Sequence, residues 1–198
     1  GVVSILTAAD IPGANQVGGM VQDEPLLAEG EVHFAGQPIA LVLAETPSAA
    51  RQGARAIGLE IDELPGVFDA RQAASVGRLI VPSRTIACGD VDAAWTDCAV
   101  VVEGRADSGG QEHLYFETQT ALAIPQGGGR LRLLSATQAP TAVQRIAARV
   151  LGLPMNAVEV DVRRLGGAFG GKEDQATVWA SLAALAAHRL DRPVKIVL

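Results

Sequence analysis

The sequence predicts an α+β fold in which a small α/β unit precedes a domain built on a mixed sheet. Two patterns carry that expectation. Short apolar–polar alternations recur along the chain, most clearly at 118–124, 130–135 and 158–162. Among them lie a segment with apolar residues at helical spacing, 141–151, and an Ala- and Leu-rich segment, 176–190, that reads as a buried helix. At 198 residues the chain has room for one large domain or two small ones. We place the first unit at 1–70, a connection at 71–85 and the mixed-sheet domain at 86–198. The chain opens directly in an apolar run without an initiator methionine, and 193–198 reads as a strand about to join a sheet. Both ends suggest a piece of a longer polypeptide.

In the first unit, residues 2–6 form the first expected strand, followed by the loop Asp10-Ile11-Pro12-Gly13. Val32-His33-Phe34 and 39–44 flank the turn Ala35-Gly36-Gln37-Pro38 as two further strands. Thr46 as N-cap and Pro47 at the first helical position start a helix that Gly58 ends. Leu59-Glu60-Ile61 reads as a short strand before Glu63-Leu64-Pro65. His33, between apolar neighbours, reads as a structural histidine.

Residues 69–85 mix a short Ala-rich turn with Gly77, Pro82 and Ser83, the composition of a connection. Residues 89–95 read as a short amphipathic helix with Trp95 in a packing role, and 99–104 as a strand. The runs 118–124 and 130–135 form a hairpin around Gln126-Gly127-Gly128-Gly129. In 141–151 the residues Val143, Ile146, Ala147, Val150 and Leu151 share one face, with Pro140 at the start and Gly152 as the stop.

Between the strand 158–162 and the last helix lies Arg163-Arg164-Leu165-Gly166-Gly167-Ala168-Phe169-Gly170-Gly171-Lys172-Glu173-Asp174. Glycines there let a backbone approach another molecule closely, and the amides at a helix start favour anions. Three readings compete: a packing turn, a phosphate loop and a ligand loop of another kind. Gly166-x-x-x-x-Gly171-Lys172 fits the phosphate-loop pattern except at the last position. Where that pattern needs a Mg²⁺-binding hydroxyl, Glu173 would repel phosphate. Upstream, Gln111 follows Gly109-Gly110 and precedes Glu112-His113. Its carboxamide suits a neutral, oriented contact to a metal-oxo group rather than a metal bond, but on the residues alone a cap on local backbone is the preferred reading. His113 and Glu117 read as structural and not as metal ligands.

A hydrophobic content of 48% suffices for a core, and only 4% aromatic residues points to packing by Ala, Val and Leu. A net charge of −6 without a basic stripe argues against nucleic acid and anionic membrane surfaces as partners. No apolar run approaches the ~20 residues of a membrane-spanning helix, and no targeting signal opens the chain. Cys88 and Cys98 lack C-x-x-C spacing, which points to a reduced, cytoplasmic chain.

The string GGAFGGKE at 166–173 resembles the molybdenum-cofactor loop of the xanthine dehydrogenase and aldehyde oxidase family, and Gly109-Gly110-Gln111-Glu112-His113-Leu114-Tyr115-Phe116-Glu117-Thr118 resembles that family's GGQEHFYLET. The likeness continues through 134–138, 151–154, 10–13 and 63–65, nearly the whole chain. It implies that 1–70 is an α/β hammerhead domain and 86–198 the first part of a molybdopterin-binding domain. It further implies that Gln111, Gly167, Ala168, Phe169, Gly170 and Gly171 face a molybdenum-molybdopterin cofactor and that Glu173 contacts substrate.

Members of the family hydroxylate an electron-poor carbon beside a ring nitrogen, or an aldehyde carbon, with oxygen from water. Electrons leave through [2Fe-2S] clusters to FAD and then to NAD⁺ or oxygen, on other domains or subunits. The implied partners are a purine or other N-heterocycle and an iron–sulfur/FAD subunit or domain, with a homo-oligomer or heteromer as the full assembly. The family's catalytic glutamate sits in a motif outside these residues, so the piece alone is expected to be inert. Glu173 points to the purine-oxidising branch, whereas Ala168 in place of a third glycine is shared with some aldehyde oxidases. Outside the family, the remaining reading is a non-catalytic α/β module whose loop serves packing or a partner.

Overall fold

The computed structural model describes all 198 residues, which fall into two compact units: Gly1–Ile57 together with Gln111–Leu198, and Gly58–Gly110. The first unit opens with β1 (Val2–Leu6), which pairs antiparallel with β2 (Leu41–Ala44). The pairing is irregular between Val2 and Ser4. The Thr46 hydroxyl then accepts the Ala49 amide at 3.2 Å and Pro47 fills the first helical position of α1 (Pro47–Ala56), as the sequence predicts.

The long connection from β1 to β2 is held by amide side chains. Asn15 pairs with the backbone of Leu27 in both directions, Nδ2 donating at 2.8 Å and Oδ1 accepting at 3.1 Å. Gln16 Oε1 accepts the amides of Gly18 and Glu24. These bonds replace a missing strand partner and let Leu26 and Leu27 bury completely. The expected strand at 32–34 is not formed; there is only an isolated bridge between Glu29 and Glu31. Gln37 takes the available bond instead, its Oε1 accepting the His33 amide at 2.7 Å. The His33 ring is exposed, 4.0 Å from Glu31, so its apolar sequence neighbours do not bury it.

The second unit contains α2 (Ala70–Ser75) and α3 (Val91–Thr96), capped by the carboxylates of Asp69 and Asp90. The expected strands at 59–61 and 99–104 do not form there. Each has a strand's composition but no partner, and their apolar side chains stay exposed, Val102 at 88%. Trp95 is likewise more than half exposed, at 56%. Asp107 bridges Arg105 and Arg71, and those two guanidiniums hold its carboxyl below the usual range.

The chain re-enters the first unit with β3 (Thr120–Pro125) and β4 (Leu131–Ser135), a hairpin whose turn glycines 127–129 all have positive φ, as the sequence predicts. α4 (Pro140–Leu151) crosses back to β5 (Val158–Asp161), which lies parallel to β4. α5 (Gln175–Leu190) returns the chain to β6 (Val194–Val197), antiparallel to β3. The sheet order is β5-β4-β3-β6, a mixed sheet of the predicted kind.

The inner sheet face carries Ala121, Ala123, Leu131, Leu133 and Val158, on which α4 and α5 pack. α5 buries ten residues between Ala176 and Ala187, which is why it is apolar on nearly every side. Each fully buried Leu or Val in this layer contributes roughly 1.5–3 kcal/mol. No helix is long and apolar enough to cross a membrane.

Candidate functional site

The glycine loop runs from the end of β5 to the start of α5 and lies against residues 113–117, which lead into β3. One residue ties both ends of the loop. The Gly166 amide donates to Glu117 Oε2 at 2.8 Å, and the Glu117 amide donates back to the Gly166 carbonyl at 3.1 Å. At the other end, Lys172 Nζ donates to the Glu117 carbonyl at 2.6 Å and to its Oε2 at 3.1 Å. The Lys172 side chain is completely buried, with its ammonium 4.6 Å from the centre of the Tyr115 ring. Burial alone would raise the Glu117 carboxyl, but the Gly166 amide and the Lys172 ammonium together hold it below the usual range.

Two of the loop glycines are required by this packing. A Cβ on Gly166 would stand 2.6 Å from Glu117 Cβ, and one on Gly171 would stand 2.7 Å from the Tyr115 ring and 2.9 Å from the His113 ring. Gly167 and Gly170 instead have φ of 94° and 92°, conformations a side chain rarely takes. The Gly170 side of the loop is open, with only His113 Nε2 near it, at 3.8 Å. Ala168 is buried, while Phe169, with φ of 53°, is 75% exposed. The amides of Gly167, Ala168 and Phe169 donate to no protein acceptor. An open glycine surface with unpaired N–H groups fits a ligand rich in acceptor oxygens.

A second support was not foreseen from the sequence. Gln138, between β4 and α4, accepts the Gly170 amide at 3.2 Å and the Lys172 amide at 3.4 Å through Oε1, and its own amide donates to the Lys172 carbonyl. Gln138 is otherwise exposed. Thr137 also donates to the Lys172 carbonyl, and buried Gln119 donates to the Gly171 carbonyl at 2.8 Å and to the Tyr115 hydroxyl at 3.0 Å. Gln119 Oε1 remains without a partner. Gln138 sits in the run 134–138 whose motif character was visible, but nothing local in that run says that its side chain reaches 34 residues ahead.

The phosphate-loop reading does not survive this geometry. The lysine such a loop needs at the phosphates is Lys172, whose ammonium is enclosed by Glu117 and Tyr115. The remaining residues singled out in the sequence lie at the margin of the site. Glu173 is exposed immediately after Lys172 and before Asp174, which precedes α5. Gln111 is exposed two residues ahead of His113. His113 stacks on Tyr115 with ring centres 6.3 Å apart. An open groove lined by β2, β6 and the start of α1 includes no residue of the loop or of 111–119.

Residues 75–198 match the model of the molybdopterin cofactor-binding domain, and residues 1–65 that of the aldehyde oxidase and xanthine dehydrogenase a/b hammerhead domain. Xanthine dehydrogenases from Oryza sativa subsp. japonica and Emericella nidulans are 37% and 40% identical to the chain over its whole length. The chain spans 15% of the length of each of these relatives. Among solved structures, quinoline 2-oxidoreductase from Pseudomonas putida 86 is 28% identical with a TM-score of 0.81, covering 100% of this chain and 27% of that one. Aldehyde oxidoreductase from Desulfovibrio gigas is 25% identical with a TM-score of 0.88, covering 100% and 24%. With both domain models matched and the glycine loop pinned to the second motif, the chain belongs to the aldehyde oxidase and xanthine dehydrogenase family.

Proposed function

We propose that this chain supplies the cofactor-facing loop of a molybdenum-dependent hydroxylase of the xanthine dehydrogenase type. The observation that carries the reading is the loop itself, an open glycine surface with three unpaired amides between two motifs bonded to each other. The xanthine dehydrogenase relatives support the purine branch. In this reading the amides of Gly167, Ala168 and Phe169 hold the molybdopterin group. Gly170 keeps its approach free of side chains, Gly171 lets the loop pack on the Tyr115 and His113 rings behind it, and the carboxamides of Gln111 and Gln138 orient it. Two loop amides fix the Oε1 of Gln138, which holds that carboxamide beside the loop. When bound, the molybdenum-molybdopterin group supplies the redox chemistry of a hydroxylation that takes its oxygen from water.

Glu173 is the substrate contact of the proposal. An exposed carboxylate beside the loop accepts hydrogen bonds from the ring N–H groups of hypoxanthine or xanthine, which an aldehyde lacks. Electrons would pass to [2Fe-2S] and FAD carried by other domains or subunits and then to NAD⁺, in a cytoplasmic assembly of several chains or copies. The exposed thiols of Cys88 and Cys98 accord with a reducing compartment.

The test uses the full-length protein, with molybdenum and pterin analysis and turnover of xanthine and of an aromatic aldehyde. Glu173→Val is expected to lower kcat/KM for xanthine by roughly 10²-fold, the scale of a charge-assisted hydrogen bond, and to spare the aldehyde. Equal losses on both substrates would remove the substrate role of Glu173. A full-length protein without molybdenum would leave the loop a packing turn, the reading that the tight fit at Gly166 and Gly171 favours.

A further inference from the structure

We infer that Glu117 and Lys172 form a latch that positions the glycine loop for its ligand. Glu117 is bonded to both ends of the loop, at Gly166 through two hydrogen bonds and at Lys172 through two more. One carboxylate oxygen, Oε2, receives both the Gly166 amide and the Lys172 ammonium, so the five residues between them are closed into a ring by a single side chain. The inference rests on the proposed cofactor role of the loop, but its geometry stands independently of that role.

The hydrophobic core does not hold the loop. None of residues 166–172 belongs to the buried cluster under the sheet, and Phe169 points outward. Beside the packing of Gly171 on the Tyr115 and His113 rings, the ties are polar: the latch, the two bonds to Gln138, and the bonds from Thr137 and Gln119 to the carbonyls of Lys172 and Gly171. Only the latch reaches the first glycine of the loop, and it fixes the strand-side end from which the amides of Gly167, Ala168 and Phe169 follow. Glu117 and Lys172 are therefore positioning residues. They touch the loop and not the ligand.

The two partners are not equivalent. Lys172 has no exposed side-chain surface, whereas the Glu117 side chain is 35% exposed. Removing the acid leaves a buried ammonium without a counter-ion, while removing the lysine leaves a carboxylate that water can reach. The latch therefore predicts an order among variants that an ordinary surface ion pair does not.

The experiment compares Glu117→Gln, Lys172→Met and the double variant in the full-length protein. It measures the rate of molybdopterin loss and hydrogen exchange at the bonded loop amides, those of Gly166, Gly170, Gly171 and Lys172. Glu117→Gln is expected to raise both by roughly tenfold, and Lys172→Met by less. The double variant should recover to the level of Lys172→Met, because no buried charge remains. Exchange in α4 and β3–β4 should be unchanged in all three, which a general loss of folding would not allow. Additive effects, or exchange at the bonded loop amides equal to wild type in every variant, would overturn the latch. Should wild-type protein hold no molybdopterin, the cofactor reading fails, and hydrogen exchange still decides for or against the latch. Cofactor retention that stays intact while the loop amides loosen would confine the pair to a structural role and reject positioning.

Discussion

The amide of Gly13 donates to the carbonyl of Val150 at 2.9 Å, so the loop after β1 caps the C-terminus of α4. The next amide, Ala14, bonds Arg149 at 3.0 Å, and Gly152 ends the helix in a left-handed conformation against Gly13. Two stretches far apart in sequence thus share one helix terminus. A Cβ on Gly13 would lie 2.1 Å from the Arg149 carbonyl, although Gly13 is itself exposed. Gly13→Ala should therefore cost at least ~2 kcal/mol by displacing the loop and freeing the α4 carbonyls. Thermal denaturation should record a fall in Tm of roughly 4–8 °C. A shift below one degree would mean that the loop yields without loss.

Asn15 gives a second stability test. Its side chain satisfies both the N–H and the C=O of Leu27, a residue with no exposed surface. Asn15→Ala leaves both groups unpaired and should destabilise the protein by about 2–3 kcal/mol in denaturant unfolding. Asn15→Asp keeps the acceptor and loses the donor, so an intermediate value is expected.

Acid should open the glycine loop before the rest of its unit. Against burial, which would raise it, the Gly166 amide and the Lys172 ammonium hold the Glu117 carboxyl below its ordinary range. A depressed carboxylate contributes stability above its unfolded pKa and loses it as pH falls through the folded value. Protection of the Gly166, Gly170, Gly171 and Lys172 amides should thus hold at neutral pH and fall as acid carries the solution below the ordinary carboxylate range. In Glu117→Gln the same protection should be low and independent of pH. Asp161, held down by Arg132 and Arg163, titrates in the same direction, so the local amides and not global stability are the informative signal.

Because the Lys172 ammonium is enclosed, the chain should show no Mg²⁺-dependent affinity for ATP by calorimetry. Micromolar binding would require Lys172 to leave Glu117 and would revive the phosphate loop.

Elements whose signal is local were legible from sequence. The apolar face of α4, the Thr46-Pro47 start of α1 and the β3–β4 hairpin all follow from spacing and turn residues, and each lies within a residue or two of its expected place. The runs at 32–34, 59–61 and 99–104 failed for one reason: a strand is defined by a partner, and β-composition cannot supply one. The site divides in the same way. The glycines and Gln111 were visible as motifs, but the burial of Lys172 depends on Glu117, 55 residues away, and the role of Gln138 on two amides beyond α4 and β5. Both were within reach only as members of runs already singled out.

The unit from Gly58 to Gly110 contributes no residue to the buried apolar core. The heat capacity of unfolding measures this directly, because it follows the apolar surface newly given to water. A chain of 198 residues with ordinary burial would change by roughly 2.4–3 kcal mol⁻¹ K⁻¹. Here the increment should fall short by about a quarter, since this unit gains little apolar hydration on melting. Many of its apolar side chains, Phe68, Ile80 and Ile86 among them, already meet water in the folded state, and a calorimeter would find little further hydration to register there.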